Sequence, residues 1–387
     1  ACHTCPIALS VEGRGDRERM GNTDLGAAKA AKKDAFYTSW VDVEREMNAY
    51  LEYDPDVFRG KTLLLPCDDP EWSNFTKFFA LHFADFGLKK LISTSYALDD
   101  NSPSGYEPPS LFDDHDAADD VERRGRVFTL EPEDVNGDGR VDIDDLRWEY
   151  LEGDGDFRSP EVTALRDEAD MVITNGPFSL FREFVAWLVE GDVQFSIIGN
   201  MNASKYKEVF PLFQHNRLWY GPTISSGDRE FRVPDSYPLE AAGYRVDDEG
   251  NKYIRVKGVR WFTNIDHGRR HEPLQLMTMA DNIKFSRHKD VRGQEYQRYA
   301  NFDAIEIPYS DAIPSDYEGV MGVPISFLDK YSPDQFEILG TSLELAPSME
   351  GFAPKGTYPT GGPNFYLSNG DGTFRRTYER LAIRKKD

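Results

Sequence analysis

Residues 170–187 read DMVITNGPFSLFREFVAW. Met171, Val172, Ile173 and Thr174 form a short apolar, partly β-branched run that predicts a buried strand. The chain turns at Asn175, Gly176, Pro177 and Phe178. Beyond the turn, Leu180, Phe181, Phe184, Val185, Leu188 and Val189 recur at helical spacing. The stretch thus sets a polar side chain, a tight turn and an aromatic at the carboxyl end of a strand, where open α/β sheets bind ligands. Four residues alone fit an ordinary strand-to-helix turn equally well, so the surrounding sequence decides.

Residues 34–51 read DAFYTSWVDVEREMNAYL. Trp40, Val43, Met47 and Leu51 fall on one helical face, with Thr38 or Ser39 as N-cap. Lys61–Pro66 (KTLLLP) is a continuous apolar run, the mark of a parallel strand buried on both faces. An acidic turn follows, then a helix predicted over Phe75–Phe86, then a second strand at Lys89–Thr94. Strand, turn and helix make the first half of a nucleoside-binding crossover unit. No glycine-rich fingerprint accompanies it, which argues against a dinucleotide. Further strands are predicted at Arg124–Leu130, Val193–Gly199, Leu218–Tyr220 and Val259–Thr263, with a hairpin turn near Asp247–Asn251. Residues 301–340 alternate short strands with proline turns. A Pro/Gly-rich connector at 347–363 leads to a closing strand near Arg375–Arg384.

Residues 134–145 (DVNGDGRVDIDD) fit a calcium-loop template: Asp134, Asn136, Asp138, Asp142 and Asp145 at ligand positions, and Gly139 at the sharp turn. The acid at the last position is Asp rather than Glu, and RWEYL after it reads as a flanking helix. A solvated acidic turn is the alternative. A secreted calcium-dependent docking module is disfavoured, since neither a second loop nor a signal peptide is seen.

The 387 residues suffice for a large core and a second lobe. The net charge of −23 argues against a simple nucleic-acid binder. The acid is concentrated between Asp99 and Asp156, however, while Lys252–Arg298 is basic, and a local basic face can bind phosphate on an acidic protein. No apolar run reaches membrane-span length, so a cytoplasmic protein is expected. Three cysteines make no disulfide framework. Cys2 and Cys5 lie in an aperiodic opening segment, 1–33, expected to be poorly ordered, within which Met20 offers an alternative start.

The blocks PCDDPEWSNFTKFF (66–79), GLKKLISTSYA (87–97), GDGDFRS (153–159), ITNGPFSLFREF (173–184), IIGNMNA (197–203), WFTNIDHGRRHEP (261–273) and IPSDYEGVMGVPISFLDKYSPDQFEILG (313–340) occur in this order. Together they resemble the EcoRI-type adenine-specific DNA methyltransferases, over about Asp34 to Arg384. Each block is weak alone, and the ordered set is specific. The resemblance implies an α/β Rossmann-like class I methyltransferase sheet with a DNA-recognition lobe. It implies methyl transfer from S-adenosyl-L-methionine to N6 of an adenine flipped out of double-stranded DNA. The catalytic domain would span 34–266, with an acidic insertion at about 99–150. The recognition lobe would span 267–345, and the connector and closing strand 346–387.

In that likeness Asn175, Gly176, Pro177 and Phe178 stand for the Asn-Pro-Pro-Phe signature. The Asn175 side-chain oxygen and the carbonyl of residue 176 would accept from the amine, whose nitrogen gains positive charge during attack. Phe178 would stack on the base. Phe36, Tyr37 and Thr38 resemble the family's Phe-Tyr-Thr-Pro segment, with Ser39 in place of proline. That segment lies against the cofactor's methionine end in the family, and Pro66, Asp68, Asp69 and Trp72 would also bind the cofactor, Asp68 or Asp69 accepting from its ammonium group. Asp156 and Phe157 would meet its adenine. His267, Arg269, Arg270, His271, Lys284, Arg287 and Lys289 would contact DNA. A cognate restriction endonuclease acting on the same site would be a functional partner. Gly176 departs from the signature's proline, leaving a DNA-binding remnant as a rival reading. N4-cytosine methylation shares the same turn chemistry and is the nearest enzymatic alternative.

Overall fold

The computed structural model describes residues 37–96, 124–224, 228–233 and 243–386. The opening segment with Phe36, and residues 99–123 of the acidic insertion, lie outside the described residues.

The strands of the first half are β1 (Thr62–Leu65), β2 (Lys90–Ser95), β3 (Arg126–Leu130), β4 (Arg147–Tyr150), β5 (Met171–Thr174), β6 (Gln194–Asn200) and β7 (Trp219–Tyr220). Then come β8 (Arg229–Val233), β9 (Arg245–Val246), β10 (Lys252–Val256) and β11 (Val259–Thr263). An eight-stranded sheet runs in the order β4-β3-β2-β1-β5-β6-β11-β7. Pairings among β2, β1, β5 and β6 are parallel, and those to β3, β4, β11 and β7 antiparallel. This is a large mixed α/β sheet, compatible with a methyltransferase fold.

The parallel strands are buried throughout because both faces are covered. Leu63, Leu65, Met171 and Ile173 belong to one core with Val43, Met47, Phe75 and Phe78. Leu64, Ile92 and Val172, on the opposite pleat, join Val162, Phe181, Phe184 and Leu188. A one-residue register slip would exchange the two sets. The first core rests on the helix Trp40–Tyr53, capped by Ser39, and the helix Asn74–Leu81, capped by Ser73. The second rests on the helices Pro160–Glu168 and Phe181–Glu190.

A three-stranded antiparallel sheet, β8-β10-β9, adds Phe231, Val233 and Ile254 to the first core. The C-terminal part forms β12 (Ile305–Glu306), β13 (Met321–Pro324), β14 (Phe336–Thr341), the hairpin β15 (Tyr366–Ser368) and β16 (Phe374–Arg376), and β17 (Arg380–Lys385). In the order β12-β13-β17-β14 the closing strand is internal, so residues 380–385 share a sheet with 305–341. Met321, Val323, Phe336, Ile338, Leu381 and Ile383 continue the core that holds Phe181 and Phe184.

Two local expectations are corrected. Residues 147–150 form a strand rather than a helix, because Arg126–Thr129 offer β4 an open edge to pair with. The helix expected over 75–86 is interrupted at His82, which leaves helical geometry at φ −101° and ψ 15°. Among the described residues no helix is long and apolar enough to cross a membrane.

Candidate active site

Strand order reverses beside β1: β2 lies on one side and β5 on the other. The carboxyl ends of these strands therefore bound a crevice, the ligand position in open α/β sheets. Three loops meet there: 66–73 after β1, 153–159 beyond β2, and 175–180 after β5.

The turn after β1 is tight. Cys67 takes a left-handed conformation at φ +65°, sparsely populated for a residue with a side chain. Its amide donates to Thr94 Oγ1 at 3.1 Å. Although exposed, the thiol lies in crowded surroundings. That crowding, then Asp68, Asp156 and Asp154, push it up to about 12, so it is no nucleophile at neutral pH. Asp68 points inward. One of its oxygens accepts from Ser73 Oγ at 2.7 Å, and the other meets the Thr174 hydroxyl. Burial raises its carboxyl to about 7, with the Ser73 and Thr174 hydrogen bonds opposing the rise. Both oxygens are thus occupied, and of the two acids Asp69 is the one left partly open to the crevice. Asp69 accepts from the Glu71 amide at 2.9 Å and faces Arg126 at 3.3 Å.

Tyr37 and Trp72 form one wall, ring centroids 6.3 Å apart. The Tyr37 backbone pairs with Arg232 of β8. Burial, then Asp69, push its hydroxyl up to about 12. Asn74 Nδ2 donates to the Thr38 carbonyl at 2.7 Å, joining this segment to the loop after β1. The Thr38 hydroxyl is buried and has no partner among the described residues. Such an atom needs a polar partner from a ligand or water.

On the third side, Gly155 has φ +84°, and a Cβ there would lie 2.4 Å from the Ser95 carbonyl oxygen. Only glycine permits this approach, which brings Asp154 and Asp156 to the end of β2. Arg158 grips Asp156 at 2.9 and 2.6 Å and holds its carboxyl below the usual range. Phe157, in contrast, is 2% exposed and packs edge-on against Phe184 and Trp187. It supports the turn from beneath and presents no open face to a ligand, a correction to its expected role.

Asn175 directly follows Thr174, whose hydroxyl reaches the Pro66 carbonyl at 2.9 Å as well as Asp68. The backbone of Asn175 therefore lies beside the loop after β1, and its side-chain oxygen is buried. Pro177 starts a single turn of 3₁₀ helix, Phe178–Leu180. The half-buried Phe178 ring meets Phe231 of β8 edge-to-face, centroids 6.2 Å apart. Phe231 is not legible as a site residue, since the charged stretch DREFRVP carries no motif. Nor are Ser73 and Thr174, because a hydroxyl ending a strand or capping a helix carries no signal of its second partner.

The basic run divides. β11 is antiparallel to β6, with Thr263 opposite Ser196 and Val259 opposite Asn200. Residues 267–271 consequently leave the sheet at the amino ends of the parallel strands, away from the crevice. His267 is buried, donates Nε2–H to the Tyr220 carbonyl at 3.0 Å, and is lowered to about 4 by burial. Arg269 donates to the Pro222 carbonyl at 2.5 Å. Arg270 is buried, bonds Asn216 and Asp266, and lies 3.6 Å over the Trp219 ring. His271 bridges Asp334 and Asp266, which hold its imidazole above the usual value. These four side chains join elements of the protein to one another, which departs from their expected role against DNA. Lys284, Arg287 and Lys289 are exposed, and Arg287 pairs with Asp311 at 2.7 Å.

The acidic loop closes on its own backbone. Asp134 accepts from the Gly137 and Gly139 amides, Asn136 from Asp138, Asp138 from Arg140, and Asp142 from Asp144. Asp145 accepts from Val135, Asn136 and Asp142. No group of three or more His, Cys, Asp or Glu among the described residues is placed to hold a metal ion, so the calcium expectation is not supported.

Residues 24–386 match the family model described as "Adenine-specific methyltransferase EcoRI". The chain is 40% identical to Type II methyltransferase M.EcoRI of Escherichia coli, across 82% of this chain and 89% of that protein. It is 31% identical to Type II methyltransferase M.MpnI of Mycoplasma pneumoniae, across 93% and 97%. No solved structure matches the chain with significance. With the match covering nearly its whole length, the chain belongs to the EcoRI family of adenine-specific methyltransferases.

Proposed function

We propose that this chain methylates N6 of an adenine flipped out of double-stranded DNA, using S-adenosyl-L-methionine in a Rossmann-like class I sheet. The observation that carries the reading is the placement of Asn175. It follows Thr174, the last residue of β5, whose hydroxyl touches the loop after β1 at Pro66 and Asp68.

The crevice fits the cofactor on its own chemistry. The buried Thr38 hydroxyl lacks a partner among the described residues, and Tyr37 and Trp72 supply aromatic surface beside it. Asp69 would receive an ammonium group. Asp156, kept ionised by Arg158, offers an acceptor to an exocyclic amine. When bound, S-adenosylmethionine supplies a methyl group made electrophilic by its sulfonium.

An aryl amine is a weak nucleophile because its lone pair is delocalised into the ring. The Asn175 side-chain oxygen and the carbonyl of Gly176 would accept its two N–H bonds and stabilise the charge that grows on nitrogen. Phe178 would pack on the base, buttressed by Phe231. Lys284, Arg287 and Lys289 would hold phosphates from the C-terminal lobe at 267–345. No covalent enzyme intermediate is required. A cognate endonuclease would read the same site without contacting this protein, and both would act in the cytoplasm.

The test is direct. Incubate the protein with methyl-labelled S-adenosylmethionine and duplex DNA, digest to nucleosides, and identify the labelled species by mass. N6-methyladenine is expected. Methylcytosine alone would overturn the proposal, and so would an unchanged yield with Asn175→Ala.

A further inference from the structure

Asp68 is surrounded by hydroxyl groups from several elements. Its carboxyl meets Ser73 Oγ and Thr174 Oγ1, while its backbone carbonyl accepts from Thr76 Oγ1 at 2.7 Å and from Ser93 Oγ. Ser73 begins the helix Asn74–Leu81, Ser93 lies on β2 and Thr174 ends β5. The cluster therefore ties the loop after β1 to the strand that delivers Asn175.

Counting protons decides its state. The Thr174 hydroxyl has one proton but two neighbours that accept, the Pro66 carbonyl at 2.9 Å and Asp68 Oδ2. A carbonyl can only accept. If Asp68 were ionised, Thr174 could satisfy one of them and would leave the other short of a donor in a buried site. If Oδ2 carries a proton, the carboxyl donates to Thr174, Thr174 donates to Pro66, and Ser73 donates to Oδ1. Each of the three hydrogen bonds then has its proton.

Among the described residues no cation compensates a charge there. Lys77 donates to the Glu71 carbonyl, Arg126 to Asp69 and Arg158 to Asp156, while Arg232 faces Tyr37 from β8. The other ionisable groups around the turn, Cys67, Asp69, Glu71, Asp154, Asp156 and Tyr37, are neutral or acidic. Burial acts in the same direction and favours the neutral acid.

We propose that Asp68 is a positioning residue, a neutral carboxylic acid that donates to Thr174, which in turn donates to the Pro66 carbonyl and so fixes the backbone on which Asn175 is carried. This rests on the methyl-transfer reading above and reassigns Asp68 from cofactor ligand to support of the catalytic turn.

The experiment has two arms. Infrared difference spectra of the full chain, wild type minus Asp68→Asn, are recorded from pH 5 to 9. A protonated-carboxyl stretch present at pH 6 and lost on the alkaline side is expected. A carboxylate signal alone at pH 6 would overturn the proposal. This arm needs no turnover, so it stands even if the protein yields no methylated DNA. In the kinetic arm, Asp68→Ala should lower kcat at least tenfold with KM for S-adenosylmethionine changed less than threefold. Asp68→Asn, which keeps a donor for Thr174 and an acceptor for Ser73, should recover most of that loss and remove the alkaline fall in kcat. A large rise in that KM for Asp68→Asn at unchanged kcat would show a direct cofactor ligand and refute the positioning role.

Discussion

The Phe184 ring occupies the space that a side chain on Gly176 would need. A Cβ built at Gly176 would fall 2.6 Å from Phe184 Cε1 and 2.8 Å from Cδ1. The ring cannot swing aside freely, since it is 1% exposed, stacked on Trp187 and met edge-on by Phe157. Gly176 is not among the positive-φ glycines, so space rather than conformation requires glycine here. The turn is therefore enclosed, which weakens the idea that losing the family's proline leaves it loose and disabled.

Gly176→Ala and Gly176→Pro should each destabilise the protein by about 1–3 kcal/mol, the usual cost of overpacking a filled core. Urea unfolding midpoints measure this. Methylation assays on the same samples then address the remnant reading. A stable Gly176→Pro protein that methylates DNA, from an inactive parent of equal DNA affinity, would establish that the natural chain is a binder only.

Asn175→Ala removes one of the two acceptors aimed at the amine. By analogy with a lost oxyanion-hole donor, kcat should fall on the order of 10²–10³-fold. Asn175 is only half-buried, so the folded state should tolerate the change. Single-turnover methylation and thermal melting separate these effects. Retention of more than a tenth of the rate in a normally folded variant would remove Asn175 from the chemistry.

Much of this site is legible in the sequence because the chemistry-bearing residues sit at strand ends, and strand ends are marked by the change from apolar run to turn. The run MVIT stops at Asn175 and LLLP at Cys67, and both boundaries reappear as the lips of the crevice. Side-chain direction is not legible. Asp68 and Asp69 are neighbours of equal chemistry, yet one is buried in a hydroxyl cluster and the other faces the crevice. The run HGRRHE reads as one surface, but antiparallel β11 carries it to the other end of the sheet, where Arg270 lies on Trp219. RWEYL carries aromatics that suit helix or strand, and only the free edge of β3 selects strand.

Glu46 predicts a pH dependence of stability. It is wholly buried, accepts from Tyr50 at 2.9 Å and from the Thr223 amide at 3.1 Å, and burial raises it to about 7. Between its ordinary value of 4.5 and 7, the folded state holds a proton that the unfolded state has released. Stability should therefore fall as pH rises through that window, by on the order of 3 kcal/mol from this group. Asp68 contributes a fall of the same sign over the same range. Urea midpoints at pH 5 and pH 8 should show a smaller difference for Glu46→Gln than for the parent, and a smaller one still when Asp68→Asn is added. Equal differences in all three proteins would mean that neither acid is protonated in the fold.

The divided basic run makes a prediction about salt. Removing a side chain that neutralises one phosphate should reduce the slope of log affinity against log salt by about 0.9. Lys284→Gln and Lys289→Gln, at exposed positions, should each lower that slope toward this limit. Arg287→Gln should do so less, because its guanidinium already pairs with Asp311 at 2.7 Å. His267→Gln should leave the slope unchanged, since that ring is buried, neutral at physiological pH and bonded to the Tyr220 carbonyl. DNA-binding titrations from low to moderate salt read all four. If His267→Gln changed the slope while the two lysine variants did not, DNA would have to approach the amino ends of the parallel strands, and the proposed recognition surface would be on the wrong side of the sheet.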